Sequence, residues 1–280
     1  MSGSITLENR FGVNKMELIS LKYAIFVIVL LVLYYCFPKK YRWYVLLAGS
    51  MAYYVIICKW YVLFIIFTIC TTYGSTIWID KLLKKQNAIV KSHKEDWDRQ
   101  TRKEYKEKGR KKRVAVMLFA LLCNFGILAF LKYIPYAGEL GLLLPLGISF
   151  YTFQSMGYVM DVYREIVEPE KNFLKVALFV SFFPQIIQGP IAIYDKLAGQ
   201  LYEGHSLRLE NLQKGALLVL WGVMKKLVIA DRAVNIINFV MDKPMDFSGT
   251  YVFFAAVVYA LQLYADFSGG IDIVRGIAEM

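Results

Sequence analysis

The stretch WYVLFIIFTICTTYGSTIWI, residues 60–79, runs for twenty residues without a Lys, Arg, Asp or Glu. A helix rises about 1.5 Å per residue, so twenty residues match the roughly 30 Å hydrocarbon core of a bilayer. Directly after it, residues 80–113 carry 14 Lys/Arg against 6 Asp/Glu. A charge-free run that opens into a strongly basic segment is the pattern of a membrane span with its basic loop in the cytoplasm.

Further charge-free runs lie on both sides of this one: Val114–Leu131, Leu140–Met160, Val176–Tyr194 and Gly249–Ala265. Trp43–Cys58 is shorter, and Tyr41, Trp43 and Tyr44 at its start are residues that settle at membrane interfaces. Tyr23–Phe37 meets Pro38, Lys39 and Lys40 without a small-residue cleavage site, so it reads as a retained span. Gly215–Met241 is long but interrupted by Lys225, Lys226, Asp231 and Arg232. Together these predict an all-α, polytopic transmembrane helical bundle of about eight membrane segments.

Composition agrees. Hydrophobic residues make up 58% of the 280, charged residues only 20%, and the mean hydropathy is +0.45. Such a chain exceeds the apolar share that a soluble domain buries. We read residues 1–280 as a single membrane domain in the cell membrane. Lys39, Lys40 and Arg42 lie two crossings before the basic segment and agree with it on orientation, which puts the N-terminus outside.

A basic segment can also bind nucleic acid, but Glu95, Asp96, Asp98, Glu104 and Glu107 are interspersed here, and membrane spans bound the segment on both sides. We therefore expect a solvated, partly helical cytoplasmic loop against anionic lipid, and no nucleic-acid partner. Cys36, Cys58, Cys70 and Cys123 all lie in apolar runs without metal-ligand spacing, so no metal site is expected. The chain has no GxSxG elbow, phosphate-binding loop or HExxH helix.

Two features point to a polar interior. The segment FFPQIIQGP, residues 182–190, puts two prolines and a glycine in an apolar run, which predicts a broken or re-entrant helix. Freed backbone groups at membrane depth need neighbouring protein or a wet cavity. Ionisable groups are also costly there, which singles out Lys225, Lys226, Asp231 and Asp266. For the lysines two readings stay open: a buried polar site, or a helix end whose lysines snorkel, with Asp231 and Arg232 in an interfacial turn. Asp266 precedes Ser268-Gly269-Gly270, where a helix break is expected. His93 and His205 fall in polar connections and read as surface side chains.

Several blocks carry a family resemblance. Leu144-Pro145-Leu146-Gly147-Ile148-Ser149-Phe150-Tyr151-Thr152-Phe153-Gln154, followed by Met160-Asp161-Val162-Tyr163-Arg164, resembles a signature of membrane-bound O-acyltransferases of the alginate O-acetyltransferase type. Phe179–Pro190, Gly222–Asp231 and Tyr264–Gly269 are similar to later blocks of that family, in the same order, and Tyr34–Tyr54 resembles its first spans.

The resemblance implies a multi-helix enzyme that moves an acyl group, usually acetyl, to a hydroxyl of an extracellular or cell-wall polysaccharide. The donor it implies is acetyl-CoA or another acyl thioester, with no bound cofactor. It also implies membrane lipid as surroundings, and an extracytoplasmic acetyltransferase as a partner. Family members use a histidine in a Trp-His block as general base, and imidazole suits that task near neutral pH. That block follows the Asp-Phe-Ser-Gly block, so it is expected beyond Met280. The chain then reads as the front part of such an enzyme, a fragment or split-gene product, inactive alone. No catalytic residue is assigned, and Tyr151, Gln154, Lys225, Asp266 and Ser268 are candidates for lining or supporting a tunnel. Competing readings are a transporter or flippase-like protein, for which no inverted repeat is visible, and D-alanyl transfer to teichoic acid.

Overall fold

A computed structural model describes residues 19–93, 96–133, 144–242 and 244–280. Among the described residues every regular element is helical. Lys39–Ser92, Arg99–Tyr133 and Gly249–Glu279 are long and apolar enough to cross a membrane, and Leu21–Cys36 and Phe173–Gln188 are shorter apolar helices. Among the described residues each of the eight expected segments overlaps helix, and the all-α membrane bundle is borne out. The chain forms two compact units.

The first unit comprises residues 40–186 and 191–204. It contains α2 (Arg42–Cys58), α3 (Val62–Ser92), α4 (Arg99–Tyr133), α5 (Ile148–Tyr163), α6 (Phe173–Ser181), most of α7 (Phe183–Gln188) and α8 (Tyr194–Tyr202). Lys59, at φ 47°, ends α2, and a short 3-10 turn leads into α3. α3 does not stop at Ile79. It continues through the basic segment to Ser92, and α4 begins at Arg99. Lys, Gln and Ala between residues 80 and 92 are good helix formers, so loss of hydrophobicity there does not end the helix.

The two arms are fastened side by side. Gln86 packs where a Cβ on Gly109 would stand, its Oε1 accepts from Arg113 Nη1 at 3.3 Å, and Arg113 lies 3.7 Å from Glu165. Among the described residues, the helix within the span expected from Leu140 begins at Ile148. Gly147 sits in the left-handed region at φ 70° just before α5, and the Ile148 N–H donates to the Pro145 carbonyl at 3.3 Å in the turn that leads into the helix; residues 140–143 lie outside the described residues. α5 is largely enclosed, with Tyr151, Ser155 and Val159 fully buried. Trp43, Leu178, Phe182 and Leu201 close a core between α2, α6 and α8. Tyr202 of α8 donates to the Lys175 carbonyl at 2.8 Å, and burial pushes its hydroxyl pKa up.

The second unit comprises residues 19–39, 187–190 and 205–280 among those described. It holds α1 (Leu21–Cys36), α9 (Leu209–Met224), a π-helical turn (Lys225–Ala230), α10 (Asp231–Met241) and α11 (Gly249–Glu279). Ser20 caps α1 by accepting from the Tyr23 amide at 3.2 Å. Two expectations are corrected here. No interfacial turn forms at Asp231 and Arg232, because the π turn carries α9 into α10 without a break. No break occurs at Ser268-Gly269-Gly270, because α11 runs on to Glu279.

Glycine serves close packing instead. A Cβ on Gly222 would lie 2.4 Å from the Gly269 carbonyl oxygen, and one on Gly215 would lie 2.5 Å from that of Gly276. The two antiparallel contacts are seven residues apart on each helix, so one stripe of α9 meets one stripe of α11. Small residues at helix contacts are how membrane helices bring their backbones together.

Candidate functional site

The expected break falls at Phe182, whose ψ of 106° separates α6 from α7. In a continuous helix the Phe183 N–H would donate to the Phe179 carbonyl. Here the Phe183 N–H donates to Ser50 Oγ of α2 at 3.2 Å, and the Phe179 carbonyl accepts from Gln154 Nε2 of α5 at 2.8 Å. Both orphaned groups are thus satisfied by side chains, as a break in an apolar surround requires. Gln154, a candidate for the tunnel, is 3% exposed and supports the break. Tyr151, three residues before it, is fully buried and packs edge to face on Tyr54, with ring centroids 6.3 Å apart.

In the second unit the π turn presents two consecutive lysines to α11. Lys225 Nζ lies 2.7 Å from Asp272 Oδ2 and 5.8 Å from the Trp221 ring centroid. Lys226 pairs with Asp266. A π turn rotates less per residue than an α turn, which lets neighbouring side chains address one partner helix; such turns are frequent at functional sites. Pairing two lysines with two carboxylates neutralises four charges that membrane depth would otherwise penalise.

The end of α7 reaches this ion-pair pattern. The Gln188 side chain occupies the space that a Cβ on Gly270 would need, its Oε1 being 2.2 Å from that position. Gly270 is four residues after Asp266, hence one turn along the same face of α11. Gln188 and Lys226 therefore bring polar groups to neighbouring turns of one face of α11, beside Asp266. The Asp266 side chain is 40% exposed. The Ser268 hydroxyl is buried without a hydrogen-bond partner among the described residues.

The five candidate residues thus divide. Lys225, Asp266 and Ser268 share the second unit, and Tyr151 and Gln154 share the first. Lys225 is matched to Asp272, which sequence reasoning missed; two adjacent lysines require two carboxylates, and Asp272 follows Asp266 in the same run. Neither histidine belongs to this pattern. His93 is exposed and stacks on Trp97 with 4.8 Å between ring centroids. His205 is exposed, and its amide donates to the Tyr34 hydroxyl at 3.3 Å. No group of three metal-ligating side chains occurs among the described residues.

No family model matches the chain. Curated proteins do. The peptidoglycan O-acetyltransferase of Helicobacter pylori is 32% identical over 199 residues, covering 58% of this chain and 38% of that protein. The probable alginate O-acetylase AlgI of Pseudomonas syringae pv. tomato is 36% identical over 140 residues, covering 49% of this chain and 26% of that protein. These O-acetylating proteins are homologues of the chain. A third, the probable alginate O-acetylase AlgI of Azotobacter vinelandii, is 33% identical over 165 residues, covering 58% of this chain and 31% of that protein. The resemblance to membrane-bound O-acyltransferases of the alginate O-acetyltransferase type is borne out. The chain matches less than two fifths of the length of each of these relatives.

Proposed function

We propose that this chain forms the front portion of a membrane O-acetyltransferase that acetylates an extracellular or cell-wall polysaccharide. One observation carries the reading. Three sequence blocks similar to the family, Phe179–Pro190, Gly222–Asp231 and Tyr264–Gly269, meet in space, with Gln188 against Gly270 beside the third block and Lys226 paired to Asp266. Blocks distant in sequence that converge on one polar face at membrane depth mark a shared site.

In the reaction, a base removes the proton of a polymer hydroxyl, the oxygen attacks the carbonyl of an acyl thioester, and the thiol leaves as the new ester forms. A hydroxyl needs that base because it is a weak nucleophile at neutral pH. The exposure and surroundings of His93 and His205 support assigning the base to a Trp-His block beyond residue 280. The ion pairs of Lys225 and Lys226 would hold the walls of the passage in register. The basic arms of α3 and α4 support placing the donor side in the cytoplasm.

The test has two steps. Sequencing the coding region past Met280 should reveal a Trp-His block in the same or an adjacent frame. Polymer acetylation by the longer protein should then fall to background when that histidine becomes alanine. Unchanged acetylation in the alanine variant would sink the mechanism.

A further inference from the structure

The basic arms carry a feature that acyl transfer does not use. Trp78, 58% exposed on the last apolar turn of α3, marks the level where hydrocarbon gives way to headgroups. Within about 9 Å of that level along the two helices stand Lys81, Lys85, Lys108, Arg110, Lys111 and Lys112, counting about 1.5 Å per residue from Ile79 on α3 and from Val114 on α4. All six are exposed. The contact of Gln86 with Gly109 fixes the antiparallel register and sets Lys85 near the level of Arg110, so the cations of the two helices share one band.

None of the six has an ion-pair partner among the described residues. Lys84 is paired to Asp80, and Arg113 to Glu165; Glu107 stands one residue beyond the band on α4. Like charges at i,i+4 destabilise a helix, and Lys81 with Lys85 and Lys108 with Lys112 are both so spaced. Packing does not call for that arrangement, whereas an anionic surface at the same height offsets its cost. The arms extend about two further turns beyond the band, so headgroups reach the band and not the tip.

We propose that this band is a binding site for anionic phospholipid headgroups, with the phosphates seated against the exposed basic turns Lys81–Lys85 of α3 and Lys108–Lys112 of α4. Each basic residue near an anionic leaflet contributes roughly a fivefold factor in affinity. The test is native mass spectrometry of the full chain in detergent, titrated with phosphatidylglycerol or with phosphatidylcholine. Phosphatidylglycerol should be retained at concentrations about tenfold or more below phosphatidylcholine. The combined Lys85→Gln, Arg110→Gln and Lys111→Gln variant should weaken phosphatidylglycerol retention by at least about tenfold. Exchange of the same positions for Arg, Lys and Arg should keep it within about twofold, since charge is preserved. Equal weakening from Lys91→Gln, Arg99→Gln and Lys103→Gln, farther along the arms, would overturn the site in favour of diffuse attraction. Displacement of the lipid by millimolar inorganic phosphate would overturn the lipid as occupant.

Discussion

Gln154 donates through Nε2 to the Phe179 carbonyl at 2.8 Å, taking the acceptor that a continuous helix would reserve for the Phe183 amide. Ser50 takes the amide. One break in the α6–α7 segment is therefore held from two sides, by α5 and by α2. Losing either side chain leaves a buried backbone group unpaired, at a cost of about 1–3 kcal/mol. We expect Gln154→Ala and Ser50→Ala each to lower stability in micelles by that amount, measured by chemical unfolding. A Ser50→Ala stability equal to the parent would show that the Phe183 amide finds another acceptor.

The glycine stripe between α9 and α11 gives a sharper contrast. Gly222→Ala would push a methyl to 2.4 Å from the Gly269 carbonyl oxygen, and backbone cannot yield as a flexible side chain does. The helices must separate, and overpacking of this kind costs about 1–3 kcal/mol. Gly74 of α3 and Gly126 of α4 have open space at the Cβ position. Alanine at either should be neutral or stabilise by up to about 1 kcal/mol through helix propensity. Thermal unfolding of the three variants separates a packing role from a general dislike of glycine loss.

Much of this was legible in the sequence, and the misses share a cause. Hydropathy located the apolar helices among the described residues because burial in lipid is a property of runs. It could not find the end of α3, since Lys84, Lys85 and Gln86 favour helix while lowering hydropathy. Pro184, Gly189 and Pro190 announced a break, yet the groups that satisfy it, Ser50 and Gln154, come from helices far away in sequence. Ser268-Gly269-Gly270 read as a weak point because glycine disfavours helix in isolation. Against α9, Gly269 is the contact that lets the backbones approach. The candidate site followed the same division. Intramembrane charge flagged Lys225, Lys226 and Asp266, but the pairing of Lys225 with Asp272 depends on the π turn, which no pattern in the run Gly215–Met241 shows.

The pair of Lys226 and Asp266 predicts coupling. Lys226→Met leaves a carboxylate unpaired at membrane depth, and Asp266→Asn leaves an ammonium. A fully buried pair broken this way costs about 3–5 kcal/mol. The Asp266 side chain is 40% exposed, so we expect about 1–3 kcal/mol for each single variant. The combined Lys226→Met and Asp266→Asn variant should recover part of the loss, because no charge is left unpaired. A double-mutant cycle without coupling would show that the two side chains act independently.

Gly147 tests the entry to α5. Its φ of 70° lies where side chains are disfavoured, and a Cβ there would stand 2.1 Å from Ile186 Cγ2 and 2.5 Å from the Ile186 carbonyl oxygen. Alanine therefore meets two penalties: about 1–2 kcal/mol for the left-handed backbone, and about 1–3 kcal/mol for displacing the end of α7. Their sum is a large share of ordinary stability, so folded Gly147→Ala protein should be scarce in membranes. Gly157, ten residues on in the same helix, has open space at its Cβ position. Gly157→Ala should accumulate like the parent. Quantifying both variants by size-exclusion profile after extraction checks this. A normal Gly147→Ala profile would mean that the turn before α5 can refit around a side chain, and that Ile186 does not hold it in place.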